Sequence, residues 1–123
     1  MVESTSGILQ PVLKHRFRLE FDNNADLTTQ VMLFKPDYFN KVLSIKFRED
    51  VLGIVRAGLK NISMDGCQDV RCVVFDGNHK VLYTDIFQSL SMVGYTTEFD
   101  YNKGEGVEHS VVLSFGSVQT EKA

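Results

Sequence analysis

The sequence predicts a mainly β (α+β) protein, an antiparallel β-sandwich or barrel with one short flanking helix. Three observations carry that prediction. Apolar and polar residues alternate along several stretches, the period of a half-buried strand. An Asp-Gly turn separates two of these stretches in the manner of a hairpin. One stretch alone has apolar residues at helical spacing.

Residues 1–11, closing on Pro11, lack periodicity and read as an N-terminal arm. A single β domain then spans 12–118, and 119–123 read as a C-terminal tail. In Leu13–Asp22 the apolar Leu13, Phe17, Leu19 and Phe21 share a face with His15, while Lys14, Arg16, Arg18, Glu20 and Asp22 hold the other. Asn23-Asn24-Ala25-Asp26 is a turn. Gln30–Phe34 is a short strand before Lys35-Pro36-Asp37. Lys41–Glu49 alternates again, with Leu43, Ile45 and Phe47 on one side. Asp50 has the chemistry of a helix N-cap. A short helix is expected over about 51–61, although Gly53 and Gly58 each weaken it by about 1 kcal/mol relative to Ala. Asp69–Phe75, the turn Asp76-Gly77-Asn78-His79 and Lys80–Phe87 form a hairpin, with Asp-Gly suited to the positive φ angles of a primed turn. Ser91–Asp100 and Val107–Val118 complete six or seven strands.

The chain has 123 residues and a formal net charge of −3. That size is one domain. Residues 1–60 carry nine Lys/Arg and seven Asp/Glu, a net of +2; residues 61–123 carry four and nine, a net of −5. An acidic chain is a poor tight binder of nucleic acid, which needs phosphate-neutralising cations. The asymmetry suits head-to-tail self-association. No apolar run approaches the roughly 18 residues of a membrane span, and no secretory signal is visible.

Catalysis finds no support. His15, His79 and His109 fall in different elements, without metal-motif spacing, and no metal or cofactor site is expected. Gly104-Glu105-Gly106 is a lone G-x-G in an acidic loop. Asp22-Asn23-Asn24-Ala25-Asp26 opens like a calcium loop, but Leu27 and Leu33 stand where Gly and Glu are required. The pairs Glu98/Asp100 and Asp65/Asp69 read as solvated acidic surface. Cys67 and Cys72 are open to two readings, reduced thiols or a disulfide to a neighbouring subunit. The strands at Leu13–Asp22 and Val107–Val118 are long and proline-free. They suit either strand addition between subunits or pairing with each other.

The order of elements carries a resemblance. Strand Val70–Phe75, turn Asp76-Gly77-Asn78, strand Val81–Phe87, Met92-Val93-Gly94-Tyr95, Glu98-Phe99-Asp100-Tyr101, a polar loop and strand Ser110–Phe115 resemble the tail tube proteins of contractile-tailed, T-even-like bacteriophages. These share a fold with type VI secretion tube proteins. The strand Val12–Phe21 after a proline-bearing arm is similar too, so the resemblance spans roughly residues 8–118.

It implies a virion structural subunit, made in the host cytoplasm, without an active site. Such subunits form hexameric rings that stack into a hollow tube, with inner strands joined into a β-barrel and DNA passing through the lumen without specific binding. Partners would be further copies, the tail sheath and the baseplate, with no membrane. A baseplate tube initiator, a type VI secretion tube protein and a monomeric β-barrel binding module are the alternatives. The positions expected at a subunit or lumen surface are Arg16, Arg18 and Glu20, and those in an inter-ring loop are Glu105 and Glu108. A compact domain of this length has a diameter near ~35 Å, and six such spheres in a ring leave a hole about one sphere wide. Net negative charge then keeps the conduit from gripping phosphates.

Overall fold

Each alternating stretch has one apolar face to hide, and two sheets sharing one core satisfy them all. The computed structural model describes residues 16–21, 25–49, 53–65, 69–99 and 106–122. The element order is β1 (Phe17–Phe21), α1 (Ala25–Thr28), β2 (Val31–Asp37), β3 (Val42–Arg48), α2 (Ile54–Asp65), β4 (Val70–Phe75), β5 (Val81–Gln88), β6 (Ser91–Glu98), β7 (Glu108–Ser114) and β8 (Ser117–Lys122). The first sheet has strand order β1-β4-β5-β8 and the second β2-β3-β7-β6. All pairings are antiparallel. The expected antiparallel β architecture with a flanking helix is what the chain forms.

The core lies between the sheets. Leu19, Phe21, Val70, Val74 and Phe87 of the first meet Leu43, Ile45, Phe47, Val111 and Leu113 of the second. Phe47 and Phe87 are fully buried. Phe21 packs on Phe47 at 5.8 Å between ring centroids, and Phe87 on Phe115 at 5.0 Å. Each such ring contributes about 2–3 kcal/mol by the area it removes from water.

Helix α2 covers one flank with Val55, Leu59 and Ile62, an i, i+4, i+7 stripe, while Arg56, Ala57 and Lys60 stay exposed. It starts later than the sequence pattern suggests because Gly53 has φ +72°, outside the helical range. Gly58 is tolerated mid-helix because a Cβ there would lie 2.9 Å from Leu27 Cδ2 of α1. The helix lacks an acidic residue in its first turn. Glu49, at the end of β3, supplies the cap instead. Its carboxylate accepts from the Val55 and Arg56 amides at 3.0 and 3.1 Å, placing negative charge at the positive end of the helix. Asp50, the expected cap, lies outside the described residues, as do Leu13–His15 and Asp22 of the expected first strand.

Other expectations are corrected. Residues 25 and 26 of the expected turn open one turn of helix, Ala25–Thr28. Strand β2 continues through Lys35-Pro36-Asp37. It is an edge strand, where a proline's missing N–H removes no ladder bond that the sheet needs. In the β4–β5 hairpin the left-handed residue is His79 (φ 63°), not Gly77. Asp76 O accepts from His79 N at 3.2 Å, closing a turn that His79 then leads back into the ladder. Asp76 Oδ1 further accepts from the Asn78 and Lys80 amides. Finally, the expected strand 107–118 is two strands. The chain changes sheets at Phe115–Gly116, so residues 119–122, expected as tail, lie in β8 beside β5.

Candidate assembly surfaces

Sheet edges are where a small β protein meets others. The described strands leave four of them: β1 and β8 on the first sheet, β2 and β6 on the second. Among the described strands β1 pairs with β4 alone, so its other side is an edge of the described sheet. Strand β7 sits between β3 and β6, so its backbone is already paired on both sides. The two long strands do not pair with each other.

The β1 edge is charged. Arg18 stands over the Phe75 ring at 5.3 Å and its Nε donates to Glu20 Oε2 at 2.6 Å. Arg16 Nη1 donates to the Asp76 carbonyl at 3.0 Å, and Arg16 O accepts from Phe75 N. An open cleft of about 590 Å³ is lined by Arg16, Phe17, Arg18, Phe75 and His79. Of the three residues expected to be exposed here, Arg18 is exposed, whereas Arg16 and Glu20 are half-buried. The opposite edge, β8, carries Gln119, Glu121 and Lys122 in exposed positions. Charges of this kind blunt an edge against unwanted pairing.

The second sheet differs. Its edges expose apolar side chains: Met32 and Leu33 on β2, and Val93, 60% exposed, on β6. Each edge strand also has a bulge, between Val31 and Leu33 and between Met92 and Gly94. The face turned away from the core is rich in hydroxyls, with Ser44, Ser91, Thr96, Ser110 and Ser114 in neighbouring register positions. Charges on it balance, with Lys35, Lys46 and Arg48 against Asp37, Glu98 and Glu108. Glu108 belongs to this sheet as the first residue of β7, 3.9 Å from Lys46 Nζ, and not to a loop as expected. Glu105 lies outside the described residues.

Two buried polar clusters were not singled out from the sequence. Asp85, 7% exposed, accepts from Tyr38 Oη at 2.7 Å and from Thr120 Oγ1 at 2.6 Å. This clasp joins the β2–β3 turn of one sheet to β5 and β8 of the other. Burial of its hydroxyl end, then the bond to Asp85 and that residue's charge, push Tyr38 well above its ordinary pKa. Half of the Tyr38 side chain is exposed, but the hydroxyl is the inward end. The second cluster is His109, 3% exposed. Its Nε2 is 3.0 Å from Glu49 Oε1, and its Nδ1 is 3.0 Å from Tyr95 Oη and 2.9 Å from Thr97 Oγ1. Residues 85 and 109 both stand at the core-facing parity of their strands, and a polar residue at such a position is the signal that could have marked them.

Cys72 is free, buried and directly opposite Asp85 in the ladder. Burial first, and the Asp85 charge second, push its thiol up to about 12. A thiol so placed is withdrawn from exchange with a neighbouring subunit. Cys67 lies outside the described residues. Among the described residues no group of His, Cys, Asp and Glu is placed to hold a metal ion, and no helix is long and apolar enough to cross a membrane.

Neither a protein-family model nor a curated protein matches the sequence. Solved structures do match in fold. Hcp1 from Salmonella typhimurium superposes with a TM-score of 0.65 at 14% identity, over 87% of this chain and 84% of that one. A chain of the anti-feeding prophage baseplate gives 0.63 at 8% identity, over 94% and 98%. A chain of the PVC sheath–tube complex, an extracellular contractile injection system, gives 0.60 at 11% identity, over 92% and 93%. The chain therefore has a tail-tube-like fold.

Proposed function

We propose that this protein is the structural subunit of a tail tube, assembling into stacked rings of six whose lumen conducts DNA in a contractile tail. Sheath and baseplate are its further partners, and catalysis has no part in the role. The observation that carries the reading is the contrast between the two sheets. The charged edges of the first discourage strand addition. In the second, β2 ahead of Pro36 and β6 carry the exposed apolar Met32, Leu33 and Val93 at opposite sides of one sheet, so β6 of one copy can meet the Val31–Phe34 stretch of the next. A head-to-tail contact of that kind generates a ring when the rotation closes. The second sheet would then face inward, and its hydroxyl-rich surface with balanced charges suits a conduit that must not hold its cargo. The tail-tube-like fold supports this, as do a baseplate that is six-fold symmetrised and a sheath–tube complex among the similar structures. In this arrangement Arg16, Arg18 and Glu20, on the first sheet, turn away from the lumen, so of their two expected places the subunit surface is the one proposed.

A second reading, the tube of a type VI secretion system, is favoured by the likeness to a type six secretion system protein, which superposes with a TM-score of 0.63 at 10% identity over 86% of this chain and 82% of that one. Both readings share the ring. Sedimentation velocity of the full chain tests it: six subunits of 13.9 kDa give a species of about 83 kDa. A single 14 kDa boundary at the highest soluble concentration would overturn the proposal.

A further inference from the structure

The tip of the β2–β3 turn is the most exposed apolar feature of the described surface. Phe39 is 93% exposed, yet the backbone that presents it is firmly held. Asp37 Oδ1 accepts from the Phe39 and Asn40 amides at 3.1 and 3.0 Å, and Asp37 Oδ2 accepts from Asn40 Nδ2 at 2.8 Å. Lys41 closes the turn in the left-handed region (φ 56°), and its carbonyl accepts from Phe115 N at 3.0 Å. On the inner side Tyr38 is held by Asp85. A large apolar ring on a tip tied at every neighbouring residue is preorganised for contact, so little ordering entropy is lost when it docks.

The register shows what lies at the other end of the same sheet. The turn adjoins the row Val42, Ser114 and Ser91. The opposite row is Arg48, Glu108 and Glu98, and Phe99, 76% exposed, follows immediately. An exposed Lys41 accompanies Phe39, and an exposed Glu98 accompanies Phe99. At the Phe39 end the Asp37 carboxylate is taken up by the turn, which leaves Lys41 as the outward charge; at the Phe99 end Glu98 and Glu108 stand against the single cation Arg48, a net negative row.

We infer that Phe39 of one copy packs against Phe99 of a second copy along the strand direction, with Lys41 facing Glu98. This rests on the tube reading and deepens it. The β2 and β6 edges close a ring, and the Phe39 and Phe99 ends join one ring to the next. The contact is heterologous and steps along the strand direction, across the ring plane, so it does not close on itself and adds ring after ring.

Two single variants of the full chain, Phe39→Cys and Phe99→Cys, test it when mixed and oxidised. The mixture should give a disulfide-linked dimer at least about tenfold above that of either variant alone or of wild type, with peptide mapping locating the bond between positions 39 and 99. A mixture no better linked than Phe39→Cys alone overturns the inference. Phe39→Ser, which removes no buried contact, should keep its rings and raise the concentration needed for rods by about tenfold or more. Rods at the wild-type concentration would equally overturn it and assign Phe39 to a different partner. The two proposals fail separately. Rings without 39–99 linkage sink only this contact, whereas 39–99 linkage without rings sinks only the ring.

Discussion

Tyr38→Phe removes one hydroxyl from the clasp between the sheets and leaves the ring in place against Phe87, 6.0 Å away. The lost bond is an O–H donor on a carboxylate at 2.7 Å. Bonds to charged groups contribute about 1.5–3 kcal/mol. Half of Tyr38 is exposed, so the freed site is partly rehydrated, and the expected loss is about 1–2 kcal/mol. Asp85→Ala removes the Thr120 bond as well and should cost more than Tyr38→Phe alone. The double variant is the sharper test. Without Asp85 the tyrosine hydroxyl has no buried acceptor, so the two effects should be non-additive by about 1 kcal/mol. Urea unfolding below the assembly concentration measures all three, with unchanged m-values as the control. The pH dependence gives a second readout. The folded pKa of Tyr38 is raised above its ordinary 10.0. Its contribution is therefore complete below pH 10 and is lost as pH rises through the folded value. The deficit of Tyr38→Phe should be constant from neutral pH to about pH 9 and shrink above pH 10. A Tyr38→Phe protein within about 0.3 kcal/mol of wild type, or strict additivity with Asp85→Ala, would refute the clasp.

Gly58→Ala, a change that stabilises most helices, should here destabilise by about 1 kcal/mol, because the new methyl meets the buried Leu27 side chain; thermal or urea unfolding reads the sign. Glu49→Ala removes the cap of α2 and the carboxylate partner of His109, for an expected loss of about 2 kcal/mol, with Glu49→Gln recovering part of it. Cys72 should resist thiol reagents at pH 8 in the folded protein and label on unfolding, as mapped by mass spectrometry.

Much of the architecture was legible because half-buried strands write their burial as a period of two. The Leu19/Phe21, Leu43/Ile45/Phe47 and Val111/Leu113/Phe115 sets are all core residues as their parity requires. Features that depend on distant neighbours were not legible. The cap of α2 comes from Glu49, six residues before the amide it binds, across a segment with φ positive at Gly53. The break between β7 and β8 showed only as a change of parity, since Phe115 and Val118 both pack on the core although they are an odd number of residues apart. The Asp85–Tyr38 pair is separated by 47 positions, and the exposure of Phe39 follows from the turn it caps. The candidate surfaces shifted for the same reason. Arg16, Arg18 and Glu20 were visible as a polar face, but which sheet edge repels partners and which invites them depends on the strand order.

The central claim is that these edges assemble the chain into a hollow tube. Negative-stain microscopy of the purified full-length protein, over a rising concentration series, tests it most directly. Assembly through these edges should give rings and hollow rods of one uniform width. Featureless 14 kDa particles throughout the series, or sheets and fibres of variable width, would contradict it.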